Sequence, residues 1–133
     1  MKKLNAGLAE SLLQCAKEAA KNAYAPHSKF PVGAALLAET GEVYLGANVE
    51  NASLGLTICA ERAAVAAAVT LGARQFTAIA IFSPKAKTPL YPCGACLQVL
   101  AEFAADLEIF TTDVGGKIRR TTLKKLLPKA FGR

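Results

Sequence analysis

The chain has 133 residues, 53% of them hydrophobic and 20% charged, which suits one ordered domain over 1–133 and excludes an intrinsically disordered chain. Its formal net charge is +6, but no aromatic residues alternate with the cations near its end, among them Lys117, Arg119, Arg120, Lys124, Lys125, Lys129 and Arg133. The basic balance is therefore expected to be a solvated face, not a nucleic-acid surface, and no apolar run approaches the roughly 18 residues of a membrane span.

Met1-Lys2-Lys3 opens like the basic end of a leader, but Asn5 and Glu10 interrupt the apolar stretch that should follow. Leu8, Leu12, Cys15, Ala16, Ala19 and Ala20 form a helical stripe instead, which predicts an amphipathic helix over 4–23 ended at Ala25-Pro26. Phe30 to Ala38 predicts a buried strand, Glu39-Thr40-Gly41-Glu42 a turn, and Val43 to Asn48 the returning strand of a hairpin. Residues 59–71 are Ala-rich and apolar nearly all round, which predicts a central buried helix stopped by Gly72. The almost continuous apolar run 76–82 predicts an inner strand. Leu97, Leu100 and Phe103 predict a helix over 94–105, Leu107 to Thr111 a strand, 113–116 a turn, 117–121 an edge strand and 122–127 a short last helix. The order α-β-β-α-β-α-β-β-α implies an α/β fold with a mainly mixed sheet between helix layers.

Four cysteines in a chain expected to be cytoplasmic are read as metal ligands or buried thiols, not disulfides. Cys15 lies on the apolar stripe and is expected to be a small buried hydrophobe. A structural four-cysteine zinc site would have to recruit it, and such sites usually show two CxxC pairs where this chain has one. Cys59 and the pair Cys93 and Cys96 should lie at the starts of two helices, where unpaired N–H groups and the helix dipole favour thiolate. Three soft sulfur ligands select zinc and leave its fourth position open, as in catalytic sites. Glu61 is offset two residues from Cys59, so it can move protons instead of ligating. Three thiolates on Zn²⁺ leave a net charge of −1, which opposes acidification of bound water, and Arg62 is the nearest candidate to offset it. A metal-activated water beside a carboxylate suits hydrolytic displacement of an amine from a polarised C=N carbon.

Cys59-Ala60-Glu61-Arg62 and Pro92-Cys93-Gly94-Ala95-Cys96 resemble the cytidine deaminase family, in its short, homotetrameric, zinc-dependent form. The likeness extends to Tyr24-Ala25-Pro26, Ser28-Lys29-Phe30, Val32-Gly33-Ala34-Ala35, Asn48-Val49-Glu50-Asn51-Ala52, and Leu126-Leu127-Pro128 with Phe131. It implies a three-layer αβα sandwich with a mixed five-stranded sheet, one zinc per subunit on Cys59, Cys93 and Cys96, and Glu61 as proton shuttle to N3 and the leaving amine of the pyrimidine. It assigns Arg62 to the thiolates, Asn48 and Glu50 to the ribose hydroxyls, Phe30 and Ala60 to substrate contact, and Phe131 to the cover of a neighbouring subunit's site. The implied reaction is deamination of cytidine and deoxycytidine in pyrimidine salvage.

Three positions depart from the family's usual pattern. Leu54 stands for a common Tyr near a subunit contact, Leu97 for an Arg after the second cysteine of the CxxC, and His27 for a Tyr. Leu97 removes a cation close to the thiolates, leaving Arg62 to offset more of the charge. Rival readings are a deaminase of another aminopyrimidine nucleoside such as blasticidin S, a polynucleotide-editing deaminase, whose first ligand is more often His, and a non-catalytic zinc-stabilised binding module.

Overall fold

Alternation along the central strands sorts the helices of this chain into two layers. The computed structural model describes residues 6–132. Its elements run α1 (Ala6–Ala20), β1 (Gly33–Ala38), β2 (Val43–Ala47), α2 (Ala60–Thr70), β3 (Phe76–Phe82), α3 (Gly94–Ala101), β4 (Glu108–Thr112), β5 (Ile118–Thr122) and α4 (Leu123–Leu126), with a 3₁₀ turn at Leu54–Leu56. The strands form one sheet in the order β2-β1-β3-β4-β5. β3 and β4 are parallel and the other neighbours antiparallel, so the sheet is mixed. Ala34, Leu36, Ile79, Ile81 and Ile109 pack on one face against α2, α3 and α4, whereas Ala35, Leu37, Ala78, Ala80 and Phe110 pack on the other against α1. Successive strand residues point to opposite faces, so continuous apolar runs are what a sheet covered on both sides requires. The result is the three-layer αβα fold with five strands.

Two glycines set how closely helix and sheet approach. A Cβ at Gly46 would lie 2.2 Å from the Ala60 carbonyl oxygen and 2.4 Å from the Ala64 nitrogen, so α2 rests directly on the backbone of β2. A Cβ at Gly33 would lie 1.9 Å from the Ala16 carbonyl oxygen, so α1 rests on β1 in the same way. Gly46 registers with Ala34, and Ala34 with Ile81, which puts the first turn of α2 near the end of the sheet where β3 stops and the chain leaves for α3.

The order of helices and strands follows the sequence pattern, and the boundaries move where local chemistry intervenes. Leu4 and Asn5, the expected start of the first helix, lie outside the described residues, as does Arg133. α1 stops at Ala20 instead of residue 23, with the next three N–H groups bonded three residues back to Glu18, Ala19 and Ala20. The strand expected from Phe30 starts only at Gly33, because Pro31 offers no N–H and the Asn48 side chain takes up Phe30 O and Val32 N. α3 ends at Ala101 instead of residue 105: the N–H groups of Phe103 and Ala104 both turn back to Leu100 O, and the Phe103 ring meets Phe76 edge-on at 6.0 Å. α2 is not buried all round. Ala60, Glu61, Ala64, Val65 and Ala68 face the sheet, while Ala66 is exposed and Ala63 and Ala67 half-exposed, because α2 lies in an outer layer. Cys15 is half-buried at the margin of the α1 cluster, not fully inside it. Among the described residues no helix is long and apolar enough to cross a membrane.

Candidate metal centre

Cys59 caps the start of α2 and Cys93 the start of α3, each with extended backbone, and Cys96 lies in the first turn of α3. The two helix starts converge, and the three sulfurs lie within 4.8 Å of one another, with Cys93 and Cys96 3.5 Å apart. Tetrahedral zinc with Zn–S bonds of about 2.3 Å requires sulfurs about 3.8 Å apart, so the cluster fits one such ion after small side-chain adjustments. All four cysteines are free thiols. At Cys93 burial opposes ionisation, but the N–H groups of Cys96 and Ala95 and the neighbouring sulfurs outweigh it and hold the thiol below its ordinary pKa. Burial pushes the Cys96 thiol up, helped by the charge of Glu61 and by its sulfur neighbours, although Arg62 opposes the shift. One readily ionised thiol at the rim and one resistant thiol inside form a donor set that a dication would complete.

Glu61 and Arg62 both border this cluster. Glu61, the second residue of α2, is 6% exposed, and burial pushes its carboxyl above the ordinary range even though its own N–H and Arg62 pull it down. Such a group keeps a proton more readily than a surface carboxylate and can return it. Arg62 Nη2 donates to Cys59 Sγ at 3.3 Å and to Thr57 O at 3.5 Å. These sulfur contacts, with Cys96 beside Cys59, stabilise its charged form. Arg62 Nε is buried without a partner among the described residues, so part of the guanidinium has given up water to reach the sulfurs. Leu97 is buried in the core beneath α2, where it packs instead of adding a cation.

A second cluster is tied to the first through Val49. Val49 and Ile58 exchange both backbone hydrogen bonds at 2.9 Å, which sets residues 48–50 beside the residue before Cys59. Tyr24 N donates to Asn48 O and Glu50 N to Tyr24 O, so the end of the α1 connection joins the same ladder. Val49 faces outward, and Asn48 and Glu50, each 8% exposed, face inward together, as alternation along an extended segment demands. The Asn48 amide accepts from Val32 N at 2.8 Å and donates to Phe30 O at 2.9 Å. Glu50 Oε1 accepts from the N–H groups of His27 and Ser28 at 2.9 and 3.0 Å, and Oε2 accepts from the Ser28 hydroxyl. The Ser28 hydroxyl and N–H groups lead in holding Glu50 below the ordinary carboxylate range. Both side chains thus brace the loop that carries half-buried Phe30.

Ala60 is fully buried, so its side chain presents nothing to a ligand and only its backbone at the helix start could. Phe131 is 75% exposed, and its backbone is clasped by Gln98, which donates to Phe131 O at 2.9 Å and accepts from Phe131 N at 3.2 Å. His27 donates its N–H to Glu50 and lies apart from the sulfur set. Sequence reasoning gave Ser28 no role beyond its place in the Ser28-Lys29-Phe30 likeness and did not name Gln98; a serine two residues before Phe30, able to bond both ways in a loop, was the available signal for the first.

Residues 7–112 match the cytidine and deoxycytidylate deaminase zinc-binding region. The chain is 48% identical over 125 residues to a cytidine deaminase of Sporosarcina psychrophila, covering 93% of this chain and 91% of the relative. The crystal structure of cytidine deaminase from Burkholderia pseudomallei superimposes with a TM-score of 0.87 at 46% identity, covering 92% of this chain and 98% of that one. A blasticidin-S deaminase of Bacillus cereus is 30% identical over 113 residues, covering 80% of each. The three-cysteine cluster lies within the matched region, and the chain belongs to the cytidine and deoxycytidylate deaminase zinc-binding family.

Proposed function

We propose that this chain is a zinc-dependent hydrolase that deaminates cytidine and deoxycytidine, releasing ammonia, in pyrimidine salvage. The observation that carries the reading is the convergence of three sulfurs at two helix starts beside a buried carboxyl of raised pKa. Bound zinc supplies a Lewis acid that brings the pKa of water toward about 7. Glu61 carries two protons in turn at its carboxylate, one from the attacking water to N3 of the base and a second from the hydroxyl thereby formed on C4 to the departing amine, which leaves as ammonia. Its raised pKa suits both transfers. Arg62 balances the thiolate charge from the Cys59 side. Asn48 and Glu50 meet the ribose hydroxyls with the hydrogen-bonding capacity the loop leaves free, and Phe30 bears on the base. The backbone of Ala60, at the start of α2, faces the substrate.

The same reading takes 1–133 as one domain, working in the cytoplasm as a homotetramer with shared sites. Leu54 is 71% exposed beside exposed Leu56, Ile58 and Val49, the outer face of α2 is alanine, and Phe131 presents a bare ring, all of which suit burial against further copies. Identity favours cytidine over blasticidin S as substrate. The test is ultraviolet loss of cytidine, deoxycytidine and blasticidin S by zinc-loaded protein, with and without a chelator. Chelator-sensitive turnover of the first two is expected. Turnover of blasticidin S alone would transfer the assignment to that substrate, and turnover of none would overturn it.

A further inference from the structure

We infer that Ser28 is a positioning residue for sugar recognition, holding the Glu50 carboxylate and the Phe30 backbone in one fixed relation. The inference deepens the proposed reading of Glu50 as a ribose partner and rests on it. Three hydrogen bonds meet at Ser28. Its N–H donates to Glu50 Oε1 at 3.0 Å, its hydroxyl donates to Glu50 Oε2, and its hydroxyl oxygen accepts the Phe30 N–H at 3.0 Å. One hydroxyl proton is thereby committed to Glu50 and one lone pair to Phe30, so the residue cannot rotate without releasing one of them.

The backbone between them is held in a costly shape. Lys29 has φ of +58°, the one positive value at a residue other than glycine among the described residues. A side chain in the left-handed region persists where its surroundings over-determine it. Here they do so from both sides. Glu50 fixes residues 27 and 28 before Lys29, and the Asn48 amide fixes Phe30 O and Val32 N after it.

The consequence is an oriented acceptor. Oε1 already takes two N–H groups, and Oε2 takes the Ser28 hydroxyl from one direction, which leaves a lone pair on Oε2 for one further donor. An ionised carboxylate only accepts, so that donor must be a hydroxyl or an N–H of the ligand, and a sugar hydroxyl is the group that fits beside a base. A site built this way rejects an analogue that lacks the hydroxyl, because the buried carboxylate is then left short of a partner. Without Ser28 Oγ, Oε2 can turn toward water or collapse onto the loop, and its preference for the sugar hydroxyl weakens.

The experiment compares kcat/KM for cytidine with that for 2′,3′-dideoxycytidine in the zinc-loaded full-length chain and in Ser28→Ala, Ser28→Cys, Ser28→Thr and Glu50→Gln. Ser28→Ala is expected to raise KM for cytidine about tenfold with kcat little changed. The cytidine-to-dideoxycytidine ratio should narrow by a similar factor, because the analogue lacks the 2′- and 3′-hydroxyls whose contact with Glu50 would be weakened. Ser28→Cys should behave as Ser28→Ala, and it keeps the test open if the alanine variant folds poorly. Ser28→Thr retains the hydroxyl and should restore the ratio. A purely structural role would lower both substrates in parallel and leave the ratio at its parent value, and that result overturns the inference. If Glu50→Gln also leaves the ratio unchanged, the ribose reading of Glu50 falls first. If Glu50→Gln narrows it and Ser28→Ala does not, only the role of Ser28 falls.

Discussion

Replacing Gly46 with alanine should loosen the metal centre from beneath, through the contact that seats α2 on the sheet. The new Cβ would meet the Ala60 carbonyl oxygen at 2.2 Å and the Ala64 nitrogen at 2.4 Å, both backbone atoms of α2 with no rotamer to yield. To restore ordinary contact near about 3.5 Å, the helix must retreat by more than about 1 Å. Overpacking of this kind costs about 1–3 kcal/mol, a fall in Tm of roughly 3–12 °C at this chain length. The same shift carries Cys59, Glu61 and Arg62 with it, and a misplacement of about 1 Å in a catalytic array can cost about 10²-fold in rate. Gly33→Ala is the matched control. Its Cβ would meet the Ala16 carbonyl oxygen at 1.9 Å, an overlap at least as severe, but against α1 on the opposite face of the sheet. Both variants should lose stability in thermal melts. In metal analysis after dialysis against a weak chelator at a temperature where both are folded, only Gly46→Ala should lose zinc. Full zinc in Gly46→Ala, or equal loss in Gly33→Ala, would refute the idea that this glycine sets the position of the site.

Three further outcomes follow from the same geometry. Glu61→Gln should lower cytidine turnover by about 10²–10⁴-fold while zinc content stays at the parent level, and a variant that keeps its activity would remove Glu61 from proton transfer. Arg62→Ala should weaken zinc retention about 10- to 100-fold, read by competition with a chromogenic chelator; unchanged retention together with an unchanged pH–rate profile would remove its charge-balancing role. Glu50 has a folded pKa below its ordinary value of 4.5, so its contribution to stability is fully present above that pH and is lost as pH falls through the folded pKa. Urea midpoints measured downward from about pH 6 should therefore fall less steeply in Glu50→Gln than in the parent, and parallel curves would count against the Ser28 and His27 contacts as the cause.

The order of elements and the sulfur cluster were legible because each depends on local chemistry. Apolar runs at 33–38 and 76–82 need cover on both faces, and Cys59, Cys93 and Cys96 need only two helix starts to converge. What was not legible is who holds whom. Nothing in the spacing of Asn48 and Glu50 says that their side chains brace residues 27–32, since those bonds depend on the pairing of Val49 with Ile58 and Tyr24, which is remote in sequence. The late start of β1 has the same origin: Phe30, Pro31 and Val32 look like strand by hydropathy, but an amide sixteen or more residues away takes their hydrogen bonds. The exposed alanine face of α2 was hidden for a different reason. Apolar composition all round a helix cannot tell a core neighbour from a surface that another copy would cover.

The balance of charge at the centre also looks different once Leu97 is placed. In the family's usual pattern an arginine at that position adds a second cation from α3, whereas here Leu97 is buried in the core with Leu100 and Val65. The helix that supplies two of the three sulfurs therefore offsets their charge only through its N–H groups, and those act on rim-exposed Cys93. Arg62 comes from the other helix, one turn beyond Cys59, and reaches both Cys59 and Cys96. A guanidinium bordering sulfurs from two helices suits the charge-balancing role proposed for it. This also accounts for a buried Nε without a partner among the described residues: the planar group is oriented for its sulfur contacts, and its remaining donor is left unmatched there. Arg62→Lys would then be a poor substitute although it keeps the charge, because a single ammonium cannot span both sulfurs from the same stem.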